Sequence, residues 1–328
     1  MNHLQILIVS AEDDAHIPFV SRHLPEKSFI VVDPGCFVRG KALTYQLVDE
    51  HVMLNYDGVS LDDIRSVWYR KPEVPKPEAL PVAPGFRNYV SGALQYHFAW
   101  LLGQFPDAFW ISEYYQLQKA ANKMNQLALA RKLGFNVPDT VLTADPAVAK
   151  KFLAKRAVSI VKPASRYGIP VHKDGMAQST IFFATKLYRG QPVDLTNLEL
   201  APCFFQDAVD VAEDIRVNVV GDKVFAASIT NPGLDAGLKT RDWRVGHSTG
   251  TILFAAHDLP RDTAERCVLL VKRLGLQFGA LDIIVDTRGM YWFIECNPNG
   301  QWAFVEEETG QPIGKAIANL LVHHTARR

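Results

Sequence analysis

Leu281-Asp282-Ile283-Ile284-Val285 is followed by turn-forming Asp286-Thr287-Arg288-Gly289 and then by Tyr291-Trp292-Phe293-Ile294-Glu295-Cys296-Asn297. The two flanking runs read as β-strands, because they are short, apolar and rich in β-branched and aromatic residues. Three oxygen-bearing side chains, Asp282, Glu295 and Asn297, interrupt them. Strand side chains alternate faces, so Glu295 and Asn297 point the same way. A two-residue hairpin loop at Arg288-Gly289 pairs position 282 with position 295. All three oxygens then converge on one patch. Such a patch suits a hard cation such as Mg2+, with phosphate oxygens and waters completing the shell. The stretch therefore points to a magnesium-nucleotide enzyme. The plainer alternative is a surface hairpin with incidental acids, which the apolar flanks disfavour.

The rest of the chain sets bounds on that reading. Its 328 residues suffice for two or three packed domains, and a hydrophobic content of 48% marks it as globular. Lys+Arg and Asp+Glu both total 35. No net field favours nucleic acid or an anionic membrane. Cys36, Cys203, Cys267 and Cys296 are far apart and form no CxxC pair, which argues against a disulfide framework or structural zinc and fits a reducing cytosol. No apolar run approaches the roughly 20 residues that span a bilayer. Leu4 to Val9 is too short for a signal-peptide core and lacks a basic leader, so it reads as a first buried strand.

Strand and helix signals alternate at the start. Gln5 to Val9 predicts a strand, Ile17 to His23 a helix, Ser28 to Val32 and Val67 to Arg70 two further strands. This is the pattern of a small α/β domain with a mostly parallel sheet. No G-x-G-x-x-G follows the first strand, so the dinucleotide fingerprint is absent. Pro72, Pro75, Pro77, Pro81 and Pro84 mark an extended connector. A helix is predicted over Asn88 to Gln104, a strand over Ala108 to Ser112, and one long helix from Gln116 to Leu133, stopped by Gly134. The first domain boundary is placed near residue 110. Beyond residue 139 the signals are β-rich. Val158 to Pro163, Thr180 to Ala184 and Cys203 to Asp207 read as strands, and Asp214 to Val220 with Lys223 to Ile229 as a hairpin turning at Gly221-Asp222. Helices are predicted over Asp262 to Leu274 and, with Pro312 in its first turn, over Thr309 to Leu321.

Several charged positions carry two readings. Lys162 at the end of an apolar strand either snorkels outward or meets a phosphate as a point charge. Lys123 on the long helix is a solvated residue or a second phosphate contact. Asp214 and Arg216 share a strand face, as a local ion pair or as ribose and phosphate contacts; a planar guanidinium suits a transferring phosphoryl group. Gln206-Asp207-Ala208-Val209 follows a strand as an interdomain connector does, with backbone groups suited to an adenine edge. Arg244 lies in a polar, positive loop, either simply solvated or covering phosphates. His172 and His247 are placed in loops, where solvation is the ordinary role of a histidine.

Taken in order, Lys123 on a helix, Lys162 in Val-Lys-Pro, the Gln-Asp-x-Val connector, Asp-Ile-Arg before Val-Val-Gly-Asp-Lys-Val, and the Asp…Glu-x-Asn hairpin resemble the ATP-grasp ligases over residues 112–321. Two segments resemble the microviridin-type (graspetide) peptide maturases in particular: Asn297-Pro298-Asn299-Gly300-Gln301-Trp302 and Val67-Trp68-Tyr69-Arg70-Lys71-Pro72. The resemblance implies an α/β chain of the α+β ATP-grasp fold, with a pre-ATP-grasp α/β domain over 1–110 and ATP-grasp subdomains over 111–205 and 206–328. It implies ATP and Mg2+ as cofactors. Asp282, Glu295 and Asn297 would hold Mg2+, and Lys123 and Lys162 the α/β phosphates. Gln206, Asp207 and Val209 would line the adenine, Asp214 would meet the ribose, and Arg216 and Arg244 would stabilise the γ-phosphoryl. Asp207 stands where Glu is common, and the 207–214 loop is short, which leaves the ribose geometry open.

The implied reaction turns a Glu or Asp side chain of a ribosomal precursor peptide into an acylphosphate, which a hydroxyl or amine attacks to close an ester or amide ring. The implied partner is that peptide, leader plus core, bound by a cytoplasmic homodimer. The competing functions are a glutamate ligase acting on a protein tail or small acceptor, and a non-catalytic ATP-binding module.

Overall fold

The computed structural model describes residues 4–164, 169–173, 176–180, 184–231 and 252–325. The chain begins with β1 (Ile6–Val9), fully buried, followed by α1 (Ile17–Ser21) and β2 (Phe29–Val32). A three-stranded antiparallel meander comes next, β3 (Leu43–Val48), β4 (His51–Tyr56) and β5 (Val59–Ser60). The sequence reading did not resolve it. β6 (Ser66–Tyr69) then returns to the first sheet, and α2 (Arg87–Leu102) leads to β7 (Phe109–Ile111). The sheet order is β2-β1-β6-β7, all parallel. Such a sheet is covered on both faces, which explains the unbroken apolar run Ile6-Leu7-Ile8-Val9. Leu7, Val9 and Val67 pack with Leu101 and Phe105 on one side. Ile6, Ile8 and Trp68 pack on the other with Trp302, Ile313, Ile317 and Leu321 from the far end of the chain.

The long helix expected over 116–133 is two helices, α3 (Tyr114–Ala120) and α4 (Lys123–Lys132). Asn122 breaks them apart: its backbone is extended and its side chain accepts the Asn125 N–H, an N-cap that a helix interior cannot offer. After β8 (Thr140–Thr143), α5 (Pro146–Ala154) and β9 (Val158–Pro163) comes the hairpin β10 (Ile169–Lys173) and β11 (Met176–Thr180), then β12 (Thr185–Tyr188) and β13 (Cys203–Asp207). β12-β9-β13-β8 form an antiparallel sheet. Most of the strand expected over 180–184 falls on residues 181–183, which lie outside the described residues; Thr180 belongs to β11. His172, expected in a loop, falls on β10 opposite Ala177.

The last sheet is built from β14 (Val211–Val220), β15 (Lys223–Thr230) and β16 (Leu253–Ala256), then, after α6 (Arg261–Arg273), β17 (Phe278–Asp286) and β18 (Tyr291–Asn297). Its order is β16-β15-β14-β17-β18. One face packs on Leu117, Leu127, Ala130, Leu270 and Val271 from α3, α4 and α6. The helix expected over 309–321 starts later, as α8 (Ile313–Thr325), and a further helix that the sequence reading did not resolve, α7 (Ala303–Thr309), precedes it. Gly310, at φ +69°, ends α7, because its left-handed backbone cannot continue a helix. Among the described residues no helix is long and apolar enough to cross a membrane. All four cysteines are free.

Candidate active site

Pairing in the last sheet places three charged side chains in one row. Arg216 on β14 faces Asp282 on β17, and Asp282 faces Glu295 on β18. The route to that register differs from the expected two-residue loop. Val285 pairs with Tyr291 and the Asp286 N–H bonds the Met290 carbonyl, so the loop has three residues, with Gly289 at φ +80°. That loop alone would set Asp282 against Ile294. A bulge between Asp282 and Ile283 restores the register by leaving Ile294 unpaired, and it aims Glu295 into the row.

Four polar side chains meet in that row. Arg216 Nη1 lies 2.5 Å from Asp282 Oδ1, and its Nη2 donates to the Gln301 carbonyl at 3.0 Å. Asn297 Nδ2 sits 3.2 Å from Glu295 Oε1 and 3.5 Å from Asp282 Oδ2. Gly300 packs so closely on Arg216 that a Cβ there would lie 2.9 Å from Nη2. Lys123 arrives from the other side. It is the first residue of α4, and its Nζ reaches Glu295 Oε2 at 2.6 Å. The break at Asn122 that split the expected helix thus turns Lys123 toward the acids.

Lys162, Gln206 and Thr140 form a second polar chain on the β12-β9-β13-β8 sheet. Lys162 Nζ donates to Gln206 Oε1 at 3.0 Å, and Gln206 Nε2 donates to Thr140 Oγ1 at 2.9 Å. Asp207 follows, half exposed, with Arg156 Nε 3.7 Å from its carboxylate and its own N–H donated to the Asp139 carbonyl. Val209 lies on the strand-to-strand connector, and Asp214 two residues before Arg216 on the same strand face. Arg244 and His247 lie outside the described residues.

In overall structure the chain is similar to three solved ligases. One is a RiPP-associated ATP-grasp ligase of Chryseobacterium gregarium, in complex with ADP and a leader and core peptide: 25% identity, TM-score 0.86, covering 98% of this chain and 97% of that one. The second is the macrocyclase MdnC of Microcystis aeruginosa MRC bound with precursor peptide MdnA: 25% identity, TM-score 0.79, covering 97% and 99%. The third is the macrocyclase MdnB of the same organism: 26% identity, TM-score 0.72, covering 98% and 99%. By fold the chain is an ATP-grasp ligase. No protein-family model matches its sequence, and no curated protein does.

The donor set of this ligase fits a hard cation. Two carboxylates and a carboxamide converge, and turning the Asn297 amide over would add Oδ1 as a third oxygen. Lys123 and Arg216 supply the positive charge that balances the two acids. A different acidic group in the ligase, Glu12, Asp33 and Cys36, brings its ligand atoms within 4.8 Å of one another, yet Lys41 and Arg39 ion-pair its acids.

Sequence reading missed a buried cluster that joins the two ends of the ligase. Arg70, only 1% exposed, donates Nη1 to the Asn299 carbonyl at 2.8 Å and to Asn299 Oδ1 at 3.0 Å, and Nη2 to Gln301 Oε1 at 3.2 Å. The Asn299 amide donates back to the Arg70 carbonyl. His16 lies 3.1 Å from the guanidinium, accepts the Trp302 N–H at Nε2, and donates from Nδ1 to Asp14 at 2.7 Å. Burial, with Arg216 nearby, pushes the Arg70 pKa down to about 10 despite Asp14. Burial works against ionising Asp14, but bonds from the His16 side chain and backbone and the charge of Arg70 hold it well below the usual carboxylate range. The Trp-Tyr-Arg and Asn-Gly-Gln-Trp segments contain Arg70, Asn299, Gln301 and Trp302, but nothing in them shows that these residues touch, and neither includes His16 or Asp14.

Proposed function

We propose that this ATP-grasp chain activates Glu or Asp side chains of a ribosomal precursor peptide as acylphosphates and closes ester or amide macrocycles, releasing ADP and phosphate. The observation that carries the reading is the row Arg216–Asp282–Glu295, completed by Asn297 and Lys123. The ligases of C. gregarium and M. aeruginosa, similar along nearly their whole length and bound to leader or precursor peptides, support the peptide substrate.

In this proposal Asp282, Glu295 and Asn297 would hold Mg2+, which would supply positive charge to offset that of the phosphates. Lys123 and Lys162 hold the α/β phosphates as point charges. Gln206 orients the Lys162 ammonium. Because the Asp207 N–H is taken by Asp139, the adenine edge is met by the Asp207 carbonyl and the backbone of Val209. Asp214 meets the ribose. Arg216 and Arg244 stabilise the transferring phosphoryl group. The substrate carboxylate oxygen bonds to the γ-phosphorus as the bond to ADP breaks. The attacking hydroxyl or amine then bonds to the acyl carbon, phosphate leaves with the electron pair, and the nucleophile's proton passes to phosphate or water. The division at residues 110 and 205, a homodimer and a cytoplasmic location belong to the same proposal. Light scattering tests the dimer.

Incubation with ATP, Mg2+ and a candidate precursor rich in Thr, Lys, Glu and Asp, followed by mass measurement, tests the reaction. Each ring costs the peptide one water. Gain of a glutamate residue mass would support the glutamate-ligase alternative. Absence of ADP release with any peptide would support a non-catalytic module.

A further inference from the structure

α4 grips the metal-ligand strand at a second point besides Lys123. Gln126 lies one helical turn further on and is 1% exposed. Its Oε1 accepts the Cys296 N–H at 2.9 Å, and its Nε2 donates to the Cys296 carbonyl at 2.7 Å. The same Nε2 donates to the Ala120 carbonyl, also at 2.7 Å, across the break between α3 and α4. A carboxamide has the donor and acceptor of a peptide unit, so Gln126 pairs with Cys296 as a neighbouring strand residue would. β18 needs such a partner, because it is the outer strand of its sheet. Nearer the turn, the Asn136 backbone carbonyl accepts the Phe293 N–H and its side-chain Nδ2 donates to the Tyr291 carbonyl.

Cys296 is the residue between Glu295 and Asn297. Fixing its peptide fixes where both neighbouring side chains leave the strand. Resting on the magnesium-nucleotide reading of the site, we infer that Gln126 is a positioning residue that locks the Glu295/Asn297 ligand edge to the helix carrying Lys123. It touches neither phosphate nor metal. It sets the distance between the phosphate-binding lysine and the metal ligands, and with it the geometry that a divalent ion and a phosphate need together. Replacing it strands the Cys296 N–H, the Cys296 carbonyl and the Ala120 carbonyl in a buried place, and frees the ligand edge to shift.

The test is calorimetric binding of ADP, with and without Mg2+, to the full chain and to Gln126→Met. In wild type, Mg2+ strengthens ADP binding. In folded Gln126→Met, the magnesium-dependent gain falls by about tenfold, the usual scale for losing support behind a metal ligand, while metal-free ADP affinity stays near wild type. A merely structural loss would weaken both alike. Gln126→Ala removes both groups as well but leaves room for water at the stranded atoms, so it gives a selective loss of the same sign and serves if the Met variant does not fold. A wild-type magnesium gain that survives whole in a folded variant overturns the inference alone. No magnesium gain in wild type overturns the nucleotide reading, and this inference with it.

Discussion

Arg216 and Arg70 hold the same short segment, residues 299–301. Arg216 bonds the Gln301 carbonyl and Arg70 the Gln301 side chain. Both arginines are buried. Their other partners differ. Arg216 meets Asp282, a carboxylate in the candidate metal patch. Arg70 meets Asn299, His16 and Asp14, groups of the frame. One guanidinium therefore faces the chemistry, while the other fastens the first sheet to the loop that supports it. The same residue type thus divides between reaction and architecture according to what lies beyond the shared segment.

The contrast can be broken from either side. The largest effect is expected at the acids. Glu295→Ala abolishes ATP-dependent turnover in a folded protein, read as ADP release with unchanged circular dichroism. Arg216→Lys keeps the charge but loses the planar fork, and lowers turnover by about 100-fold with little change in thermal midpoint. Arg70→Met gives the opposite signature. It leaves Asp14 buried without its guanidinium partner, costs about 3 kcal/mol of stability, and lowers the midpoint by on the order of 5 °C. Comparable turnover losses for folded Arg216→Lys and Arg70→Met would erase the distinction.

The smallest effect is a pH dependence. Burial, joined by the charge of Arg70, lowers the His16 pKa below its ordinary 6.5, though Asp14 pulls the other way. The unfolded chain then binds the proton first, so stability is whole above pH 6.5 and falls as pH drops toward the lower folded value. Replacing His16 with Gln, which keeps a donor and an acceptor but does not titrate, flattens the fall in thermal midpoint between pH 6.5 and 5.5. An unchanged slope would remove His16 from the frame's proton balance.

The acids were legible in the sequence because strand alternation and pair arithmetic are local rules. The pairing of Asp282 with Glu295 holds although the loop is one residue longer than read, since the bulge at Ile294 compensates. Nothing in the composition of 291–297 marks that bulge. The break at Asn122 was hidden because Asn is tolerated inside helices, and only its capping bond to Asn125 reveals an end. The half-exposed meander over 43–60 has too weak an alternation to stand out. The buried Arg70 cluster was beyond local reading. Arg70 and Asn299 are 229 positions apart, and only the fold brings them together.

The central claim is that Asp282, Glu295 and Asn297 bind a divalent ion together with the nucleotide. Mn2+, which accepts the same all-oxygen shell as Mg2+, makes this visible by electron paramagnetic resonance. Added with ADP, it should give a protein-bound signal in wild type that disappears in folded Asp282→Ala. A bound signal of wild-type strength in that variant would contradict the account.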